Sequence, residues 1–594
     1  MYFTLAISAA TRQACTALVT AASGTDPRVM PLPGPPLVAW RSPDERAAVL
    51  CWGAQASAGP PVASHAGTIW ADAGTLRART GLARVDPVYV AEVPGAVVVS
   101  DRASWAAAVS GRLGEPDPAM VGAFLALGYP VGAATAFRRV RALGCGQMLT
   151  VAGDRLTVAT AEDAGAAPIR AATDGGGGYG AVAAALVEAA GPPPDPGGLV
   201  ELSLTGGKDS RLIAAALAAA KVPFRARTHG VASHPDVVVA AMIAGRLGID
   251  HIVTEPKPPG AGQALDAAAV LGRIRSAVLV SDGMLSAYEN IGTPDPRFAA
   301  EPVQAGGHGG ELLRGGYATA AWSGRRPARA WSEARGTELF RRMTTRRLSL
   351  LRPAAAGDYL ASLTPYAAAL PRGPLRALDD FYLVNRAGRW SATARQAYLM
   401  RSPLLQPFFS DRVIRATRAV PLPDRITDRL HREVLAVLCP DLLELPLAGS
   451  GWKSGPRNAL ATGPGSSGPA SAAGSGSAVG SGSAVGPGPA GGRGSVTGPG
   501  SAGGSDWRRR YPPEMGRLLR DYTLDLGGSS QLFDIVRRQA AERLLRLPHA
   551  DPDAVWALAT LAALLSGDWL NAREPKGRPG VPTPGREDAD RTTG

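Results

Sequence analysis

The sequence predicts an α/β protein with a central parallel sheet and a largely helical C-terminal part. Three observations support this prediction. In residues 1–160, short apolar runs are separated by Gly, Pro and Asp turns, which is typical of β-strands. In residues 199–254, strand-like runs alternate with Ala/Leu-rich segments, and this alternation predicts parallel strands joined by helices. From residue 265 onward, helical patterns dominate.

The elements are predicted in chain order. The β-rich part has strand-like runs at residues 3–8, 47–52, 88–93, 96–100, 147–151 and 156–159, with helical patches at 103–112 and 118–127. The alternating part has strands at 199–204, 223–228 and 251–254, with helices at 210–221 and 235–247. A glycine run at 175–178 predicts an interdomain linker. We therefore expect one domain over residues 1–165, a linker over 166–180 and a second domain over 181–594.

Two segments are expected to carry no packed structure. Residues 463–504 are built almost entirely of Gly, Ser, Ala, Pro and Val, and the hexapeptide SGSAVG occurs there twice in succession. Such a composition cannot bury enough apolar surface to offset the entropy lost on ordering, so a disordered insertion is predicted. Residues 571–594 are predicted to form a loose tail.

Composition limits the classes of function. Lys and Arg exceed Asp and Glu by 13 charges, an excess that attracts anionic ligands. No basic run is interleaved with aromatic residues, so a nucleic-acid partner is not expected. The four cysteines are far apart, which disfavours a zinc ribbon or a disulfide framework and favours a reducing compartment. No signal peptide or membrane span is evident, so we expect a cytoplasmic protein.

One short motif carries chemistry. Thr205-Gly206-Gly207-Lys208-Asp209-Ser210 follows a predicted strand and opens an alanine-rich helix. Two glycines permit close approach of an anion, and a helix N-terminus offers free N–H groups. A carboxylate in such a turn repels phosphate unless a divalent cation bridges them, so Asp209 predicts Mg²⁺. The spacing is not that of a Walker A loop, and a simple glycine turn capping a buried helix is the alternative.

With the preceding Leu204, this motif resembles the S-G-G-x-D-S pyrophosphate loop of the asparagine synthetase family of ATP pyrophosphatases, with Thr205 in place of the first Ser. Residues 307–317, GHGGELLRGGY, resemble the second metal loop of that family, with Glu311 at the position of a metal-binding Asp. Residues 451–455, GWKSG, resemble its catalytic-lysine segment and place Lys453 at that lysine. Residues 233–247 and 556–569 resemble its second helix and its C-terminal helix.

The resemblance extends to the N-terminal part. Residues 129–149 resemble the end of the family's glutaminase domain, which has an N-terminal-nucleophile αββα fold. The resemblance implies that this chain has a degenerate form of that domain, followed by an adenine-nucleotide α-hydrolase-like (PP-loop) synthetase domain. Glutaminase activity requires a cysteine at the mature N-terminus. The sequence begins Met1-Tyr2, so we expect the glutaminase-like domain to be inactive and to serve as a scaffold.

The resemblance implies an AMP-forming carbon–nitrogen ligase that uses ATP and Mg²⁺. Family members without that cysteine include β-lactam synthetases, carbapenam synthetases and lasso-peptide cyclases. We expect lasso-type macrolactam formation, in which the α-amine of a precursor (core) peptide attacks an adenylated Asp or Glu side chain, with a leader-binding protein and a leader peptidase as partners. The alternatives are β-lactam-type closure of a small amino acid and amidation with free ammonia.

The resemblance also assigns the site residues. Asp209 and Glu311 are expected to bind Mg²⁺; Leu204, the loop 205–210, Thr228 and Gly307 are assigned to the nucleotide. Lys453 is expected to stabilise negative charge in the transition state, the alternative being a solvated lysine.

His308 is a candidate general base, or else a loop histidine hydrogen-bonded to backbone. Asp379 and Asp380 are candidate acidic partners, or else helix caps. Arg386, Arg389 and Arg395 recur at near-helical spacing and indicate a solvated or phosphate-facing surface. A pseudoenzyme scaffold and a basic nucleic-acid-binding module remain open as other classes of function.

Overall fold

The computed structural model describes most of the chain. The described residues are 3–6, 37–41, 48–52, 68–72, 75–93, 96–152, 155–160, 178–191, 199–255, 267–289, 302–322, 328–399, 403–449, 451–453, 513–528, 530–548 and 551–571. The predicted insertion at 463–504, most of the predicted linker at 166–180 and nearly all of the predicted tail at 571–594 lie outside these ranges.

The described strands of the N-terminal part pair antiparallel. Strand order is β1-β7-β6-β8 in one sheet and β10-β9-β5-β4 in another, and β2 pairs with β3. The strands are β1 Phe3–Ala6, β2 Leu37–Arg41, β3 Ala48–Trp52, β4 Thr68–Asp72, β5 Thr75–Arg79, β6 Tyr89–Val93, β7 Ala96–Ser100, β8 Val140–Ala142, β9 Gln147–Ala152 and β10 Arg155–Thr160.

Two helices accompany these strands, at the positions the sequence predicts. Helix α1 spans Ala103–Val109 and α2 spans Pro118–Leu127. The α2 N-terminus is capped by the carboxylate of Asp117, which accepts from the N–H groups of Ala119 and Met120. Helix α2 ends at Gly128, whose φ of 84° lies in the left-handed region that favours glycine.

The central part is a five-stranded sheet of order β13-β12-β11-β14-β15, in which every neighbouring pair is parallel. This confirms the α/β class and the parallel sheet. Crossover helices join its first three strands, as the alternating pattern predicts. The elements are α3 Tyr179–Ala189, β11 Val200–Ser203, α4 Lys208–Ala219, β12 Phe224–His229, α5 Pro235–Leu247, β13 His251–Thr254, β14 Val303–Gly306 and β15 Leu404–Leu405.

The register of the sheet brings two distant loops together. Strand β14 lies beside β11, with Leu202 opposite Ala305 and Ser203 opposite Gly306. Because both strands run in the same direction, their carboxyl ends meet at one edge, where ligands bind in open α/β sheets. The loop after β11 begins at Leu204, and the loop after β14 begins at Gly307. The two loops that resemble the pyrophosphate and metal loops are therefore neighbours.

The C-terminal part is helical, as predicted. Its α-helices are α6 Ala267–Ser281, α7 Ala318–Ala321, α8 Ala328–Thr344, α9 Pro353–Ala367, α10 Pro374–Phe381, α11 Ala392–Leu399, α12 Asp411–Ala419, α13 Leu422–Ile426, α14 Arg429–Leu438, α15 Pro513–Gly528, α16 Leu532–Ile535, α17 Arg538–Arg546 and α18 Pro552–Ser566. A π-helix spans Tyr382–Ser391, and short 3₁₀ helices lie at Gly310–Arg314, Leu348–Leu350, Leu370–Arg372, Pro407–Phe409, Pro440–Leu443 and Asp568–Asn571. Of the described helices, none is long and apolar enough to cross a membrane.

An arginine from the N-terminal part holds the π-helix. The buried Arg84 donates from Nε to the Gly388 carbonyl at 3.1 Å and from Nη2 to the Val384 carbonyl at 3.1 Å. It also donates to the carbonyls of Leu143 and Gly132, at 3.2 and 2.8 Å. These four bonds satisfy a buried guanidinium and connect the β-rich part to the helical part.

Candidate active site

The loop after β11 is held by its own hydroxyl groups. The Thr205 N–H donates to Ser210 Oγ at 3.1 Å, and the Gly207 N–H donates to Thr205 Oγ1 at 3.2 Å. Gly207 is the N-cap of α4 and makes no side-chain cap bond. The first N–H groups of α4 therefore have no side-chain cap, which is the arrangement that binds an anion at a helix N-terminus.

Packing explains the first glycine of the loop. A Cβ added at Gly206 lies 2.3 Å from the Ala448 Cβ and 2.9 Å from the Val239 Cβ. The Ala448 N–H donates to the Gly206 carbonyl at 3.1 Å, and the Gly206 N–H donates to Asp236 Oδ1 at 2.9 Å. A glycine here lets the segment that leads to Lys453 approach the loop.

Asp209 is a buried carboxylate in the first turn of α4, and both of its oxygens have partners. Arg314 Nη2 donates to Oδ2 at 2.6 Å, and His431 Nε2 lies 2.9 Å from Oδ1. The same Arg314 nitrogen lies 3.7 Å from Glu311 Oε1. The two carboxylates predicted to bind metal therefore share one guanidinium.

A second glycine permits this approach. A Cβ added at Gly310 lies 2.3 Å from Asp209 Cγ and 2.4 Å from Oδ1, far closer than van der Waals contact. The loop after β14 consequently passes directly against the Asp209 carboxylate, and Glu311 follows as the next residue.

The two carboxylates differ in their electrostatic surroundings. Burial raises the pKa of Asp209, but the charge of Arg314 and the hydrogen bond from His431 bring this pKa below its usual value. Burial and the nearby charge of Asp209 raise the pKa of Glu311, with Arg314 opposing them. Positive charge added beside Glu311 would therefore favour its ionised form.

These surroundings suit a magnesium–nucleotide complex. No group of three or more His, Cys, Asp or Glu side chains able to hold a metal occurs among the described residues. Mg²⁺ is commonly bound by one or two protein carboxylates together with substrate phosphates, so a dedicated protein cage is not required. Asp209 and Glu311 are carboxylates of that kind, and in this structure Arg314 supplies the positive charge beside them.

Two lysines from distant segments meet at one buried aspartate. Lys208 Nζ lies 2.5 Å from Asp428 Oδ2, and Lys453 Nζ lies 3.8 Å from Asp428 Oδ1. Lys453 Nζ also donates to the Ile426 carbonyl at 3.1 Å. Burial lowers the pKa of Lys453, while the charge of Asp428 opposes that shift. Asp428 therefore brings the two ammonium groups together at one carboxylate.

The geometry brings residues from four segments of the chain into one cluster: Thr205–Ser210, Glu311–Arg314, Asp428–His431 and Lys453. No protein-family model matches this chain, and no curated protein matches it. The function of the cluster is therefore inferred from the chemistry of its own residues.

Three residues assigned to the nucleotide make hydrogen bonds within the protein at the ends of the strands. Leu204 is fully buried in the core, and its carbonyl accepts from Thr228 Oγ1 at 2.7 Å. Thr228 Oγ1 also lies 2.9 Å from His251 Nε2. The Gly307 carbonyl accepts from the Gly310 N–H at 3.1 Å. The side chains of Leu204 and Thr228 thus brace the strand ends from within the protein.

His308 lies among aromatic rings. Its ring centroid is 5.9 Å from that of Trp390 and 5.5 Å from that of Phe409. Burial and the charges of Arg386 and Arg395 lower the pKa of His308 to about 4. The ring is therefore neutral at pH 7, which a proton acceptor requires, although the low pKa makes it a weak base.

Asp379 and Asp380 lie in the last turn of α10, so neither caps the N-terminus of that helix. Asp379 is buried and accepts from Arg425 Nη1 at 2.8 Å and Nη2 at 2.9 Å. Arg425 Nη2 also donates to the Leu312 carbonyl at 2.6 Å, so this pair supports the loop after β14. Asp380 is half-buried and pairs with Arg418. The structure does not bring either aspartate into the cluster.

Sequence reasoning missed three members of the cluster. Arg314 stands inside the motif at residues 307–317, three residues after Glu311, and this helical spacing was a usable signal. Asp428 and His431 lie in a segment without any recognised motif. Only the tertiary structure places them against Lys208 and Asp209.

Proposed function

We propose that this protein is an ATP-dependent, AMP-forming carbon–nitrogen ligase that closes a macrolactam in a peptide, as lasso-peptide cyclases do. The observation that carries the proposal is the cluster at the carboxyl edge of the parallel sheet. There, an uncapped helix N-terminus, two carboxylates and two lysines lie together. The resemblance to the asparagine synthetase family supports the same reaction type.

In this proposal the loop after β11 binds the β- and γ-phosphates of ATP. The N–H groups at the start of α4 and the ammonium group of Lys208 stabilise the charge of the departing pyrophosphate. Mg²⁺, bound by Asp209 and Glu311, would supply charge neutralisation on the phosphates. A substrate Asp or Glu side chain attacks the α-phosphate and becomes an acyl-adenylate.

The second half-reaction forms the amide. The peptide α-amine attacks the acyl carbon, AMP leaves, and Lys453 stabilises negative charge that develops between the acyl carbon and the α-phosphate. The amine must lose its proton, and His308, which is neutral at pH 7, is the candidate acceptor although its low pKa makes it a weak base. Because nucleophile and acyl group belong to one bound peptide, ring closure gains the effective concentration of an intramolecular reaction.

The proposed reaction also implies partner proteins and a cellular compartment. The substrate is a core peptide freed of its leader, so a leader-binding protein and a leader peptidase act beforehand, in the cytoplasm where ATP is supplied. The β-rich part acts as a scaffold for the helical part, in keeping with the Arg84 bonds.

Mass spectrometry tests the proposal directly. The protein is incubated with a leaderless candidate peptide, ATP and Mg²⁺, with Lys453→Ala as the matched control. A product lighter by one water, together with AMP and pyrophosphate, supports the cyclase. Asparagine formed from aspartate and ammonia favours the amidation alternative, and closure of a small amino acid favours the β-lactam alternative. Absence of AMP with every substrate tested refutes a ligase.

A further inference from the structure

Several buried arginines in the described part of the protein donate from their terminal nitrogens to nearby acceptors. Arg211 donates to the Leu442 and Leu445 carbonyls, and Arg425 donates to Asp379. Arg389 donates to the Ala134 carbonyl. These contacts are expected, because a buried guanidinium without acceptors is costly.

Arg386 differs from these arginines. No hydrogen bond or ion pair joins it to any residue that the structure describes; its contacts are with aromatic rings. The guanidinium carbon lies 3.5 Å from the ring centroid of Trp390 and 5.8 Å from that of Tyr129. A guanidinium stacked on an aromatic face keeps its N–H edges free for a planar acceptor. The residue is half-buried rather than fully enclosed.

Arg386 stands beside the loop that leads to Glu311. Trp390, on which it stacks, is in ring contact with His308. Tyr129 Oη lies 2.6 Å from the Oη of Tyr317, the last residue of the motif that begins at Gly307. The π-helix that carries Arg386 is itself a feature found frequently at functional sites.

The charge of Arg386 acts on a different part of the site from the lysines. It bears on the pKa values of His308 and Glu311, whereas the charges that bear on Lys453 are those of Asp428, Arg314 and Lys208. Phosphate recognition is already supplied by the α4 N-terminus and Lys208. A carboxylate, which is planar and singly charged, is the acceptor that a stacked guanidinium matches best.

We propose that Arg386, stacked on Trp390, binds the side-chain carboxylate of the acyl substrate before adenylation and thereby selects Asp or Glu peptides. The inference rests on the proposed function, because it assigns the acceptor to the substrate of that reaction. Arg386 orients the carboxylate toward the α-phosphate, and the neutral amides Asn and Gln gain no ion pair there.

Binding without ATP tests this inference separately from ligase activity. Saturation-transfer NMR titrations compare N-acetyl-glutamate methylamide with its neutral isostere, N-acetyl-glutamine methylamide. The wild-type protein should bind the acid about tenfold or more tightly than the amide. Arg386→Gln should abolish that preference, and Arg386→Lys should retain part of it. Arg341→Gln, which removes one charge from an exposed residue on α8, should leave it unchanged.

Each outcome of these titrations either supports or overturns the inference about Arg386. Equal affinity of wild-type protein for acid and amide, or no binding of either up to the millimolar range, overturns the inference. So does a preserved acid preference in Arg386→Gln. Circular dichroism melting confirms folding, and the Lys variant covers the case in which the Gln variant unfolds. An Arg386-dependent acid preference in a protein that never releases AMP leaves this inference standing and refutes the proposed function instead.

Discussion

Gly310→Ala offers a sharp test of the site, because it adds one methyl group against one carboxylate. The new Cβ lies 2.3 Å from Asp209 Cγ and 2.4 Å from Oδ1, whereas ordinary contact begins at 3.4 Å. Gly310 has no positive φ, so the backbone itself accepts alanine. The strain therefore falls on the contact between the loop after β14 and Asp209.

The size of the effect follows from that geometry. The carboxylate and the loop must separate by about 1 Å, which disrupts the 2.6 Å bond from Arg314 and the 2.9 Å contact with His431. A misplacement of about 1 Å can lower a rate roughly 100-fold. Overpacking of this kind typically costs about 1–3 kcal/mol of stability. We therefore expect a folded protein with a large loss in ATP/pyrophosphate exchange.

Gly122→Ala is the matched control. A Cβ at Gly122 lies 2.6 Å from the Tyr359 Cβ, where α2 packs on α9 and the cluster is not involved. Urea unfolding and ATP/pyrophosphate exchange are measured for both variants. Similar losses of stability are expected, with exchange reduced only in Gly310→Ala. Equal exchange in the two variants at equal folded fraction would refute the role assigned to Asp209.

The remaining predictions concern the charged groups. Asp209→Ala and Glu311→Ala should each abolish ATP/pyrophosphate exchange in folded protein, and near-normal exchange would show the magnesium site to be misplaced. Lys453→Ala should bind ATP in calorimetry yet lower kcat, and a change confined to KM would make Lys453 a binding residue. Lys208 and Lys453 hold the pKa of the buried Asp428 below its usual value despite burial, so Asp428 stabilises the fold above about pH 4, and this contribution is lost as the pH falls through the lowered pKa. Unfolding free energies of Asp428→Asn between pH 3 and 6 should lack that slope, and an unchanged slope would contradict it.

Local sequence patterns predicted the parts of the fold whose signals are local. The loop at Thr205–Ser210 stands between an apolar strand and an alanine-rich helix, and both neighbours were readable from composition. Strand β14 was not predicted, because its four residues, VQAG, show neither a continuous apolar run nor a clear alternation. Its place beside β11 arises from pairing across about 100 residues, which periodicity does not encode.

The same reasoning applies to the site. Asp209 and Glu311 were predicted because each lies within a short, recognisable motif. The contact of Lys208 with Asp428 joins residues separated by 220 positions, and that of His431 with Asp209 joins residues separated by 222. An isolated aspartate and an isolated histidine on a helix carry no signal until the fold places them. Electrostatic partners of candidate site residues are therefore the part that a single sequence conceals.

The four carbonyl contacts of Arg84 have a consequence for the modularity of this protein. The wide turns of the π-helix that presents Arg386 and Trp390 are held in part by a side chain from the β-rich half. A graft of the helical half onto a foreign N-terminal half would leave the Gly388 and Val384 carbonyls without this donor. We therefore expect such a chimera to lose stability at the π-helix unless the graft brings an equivalent of Arg84 with it.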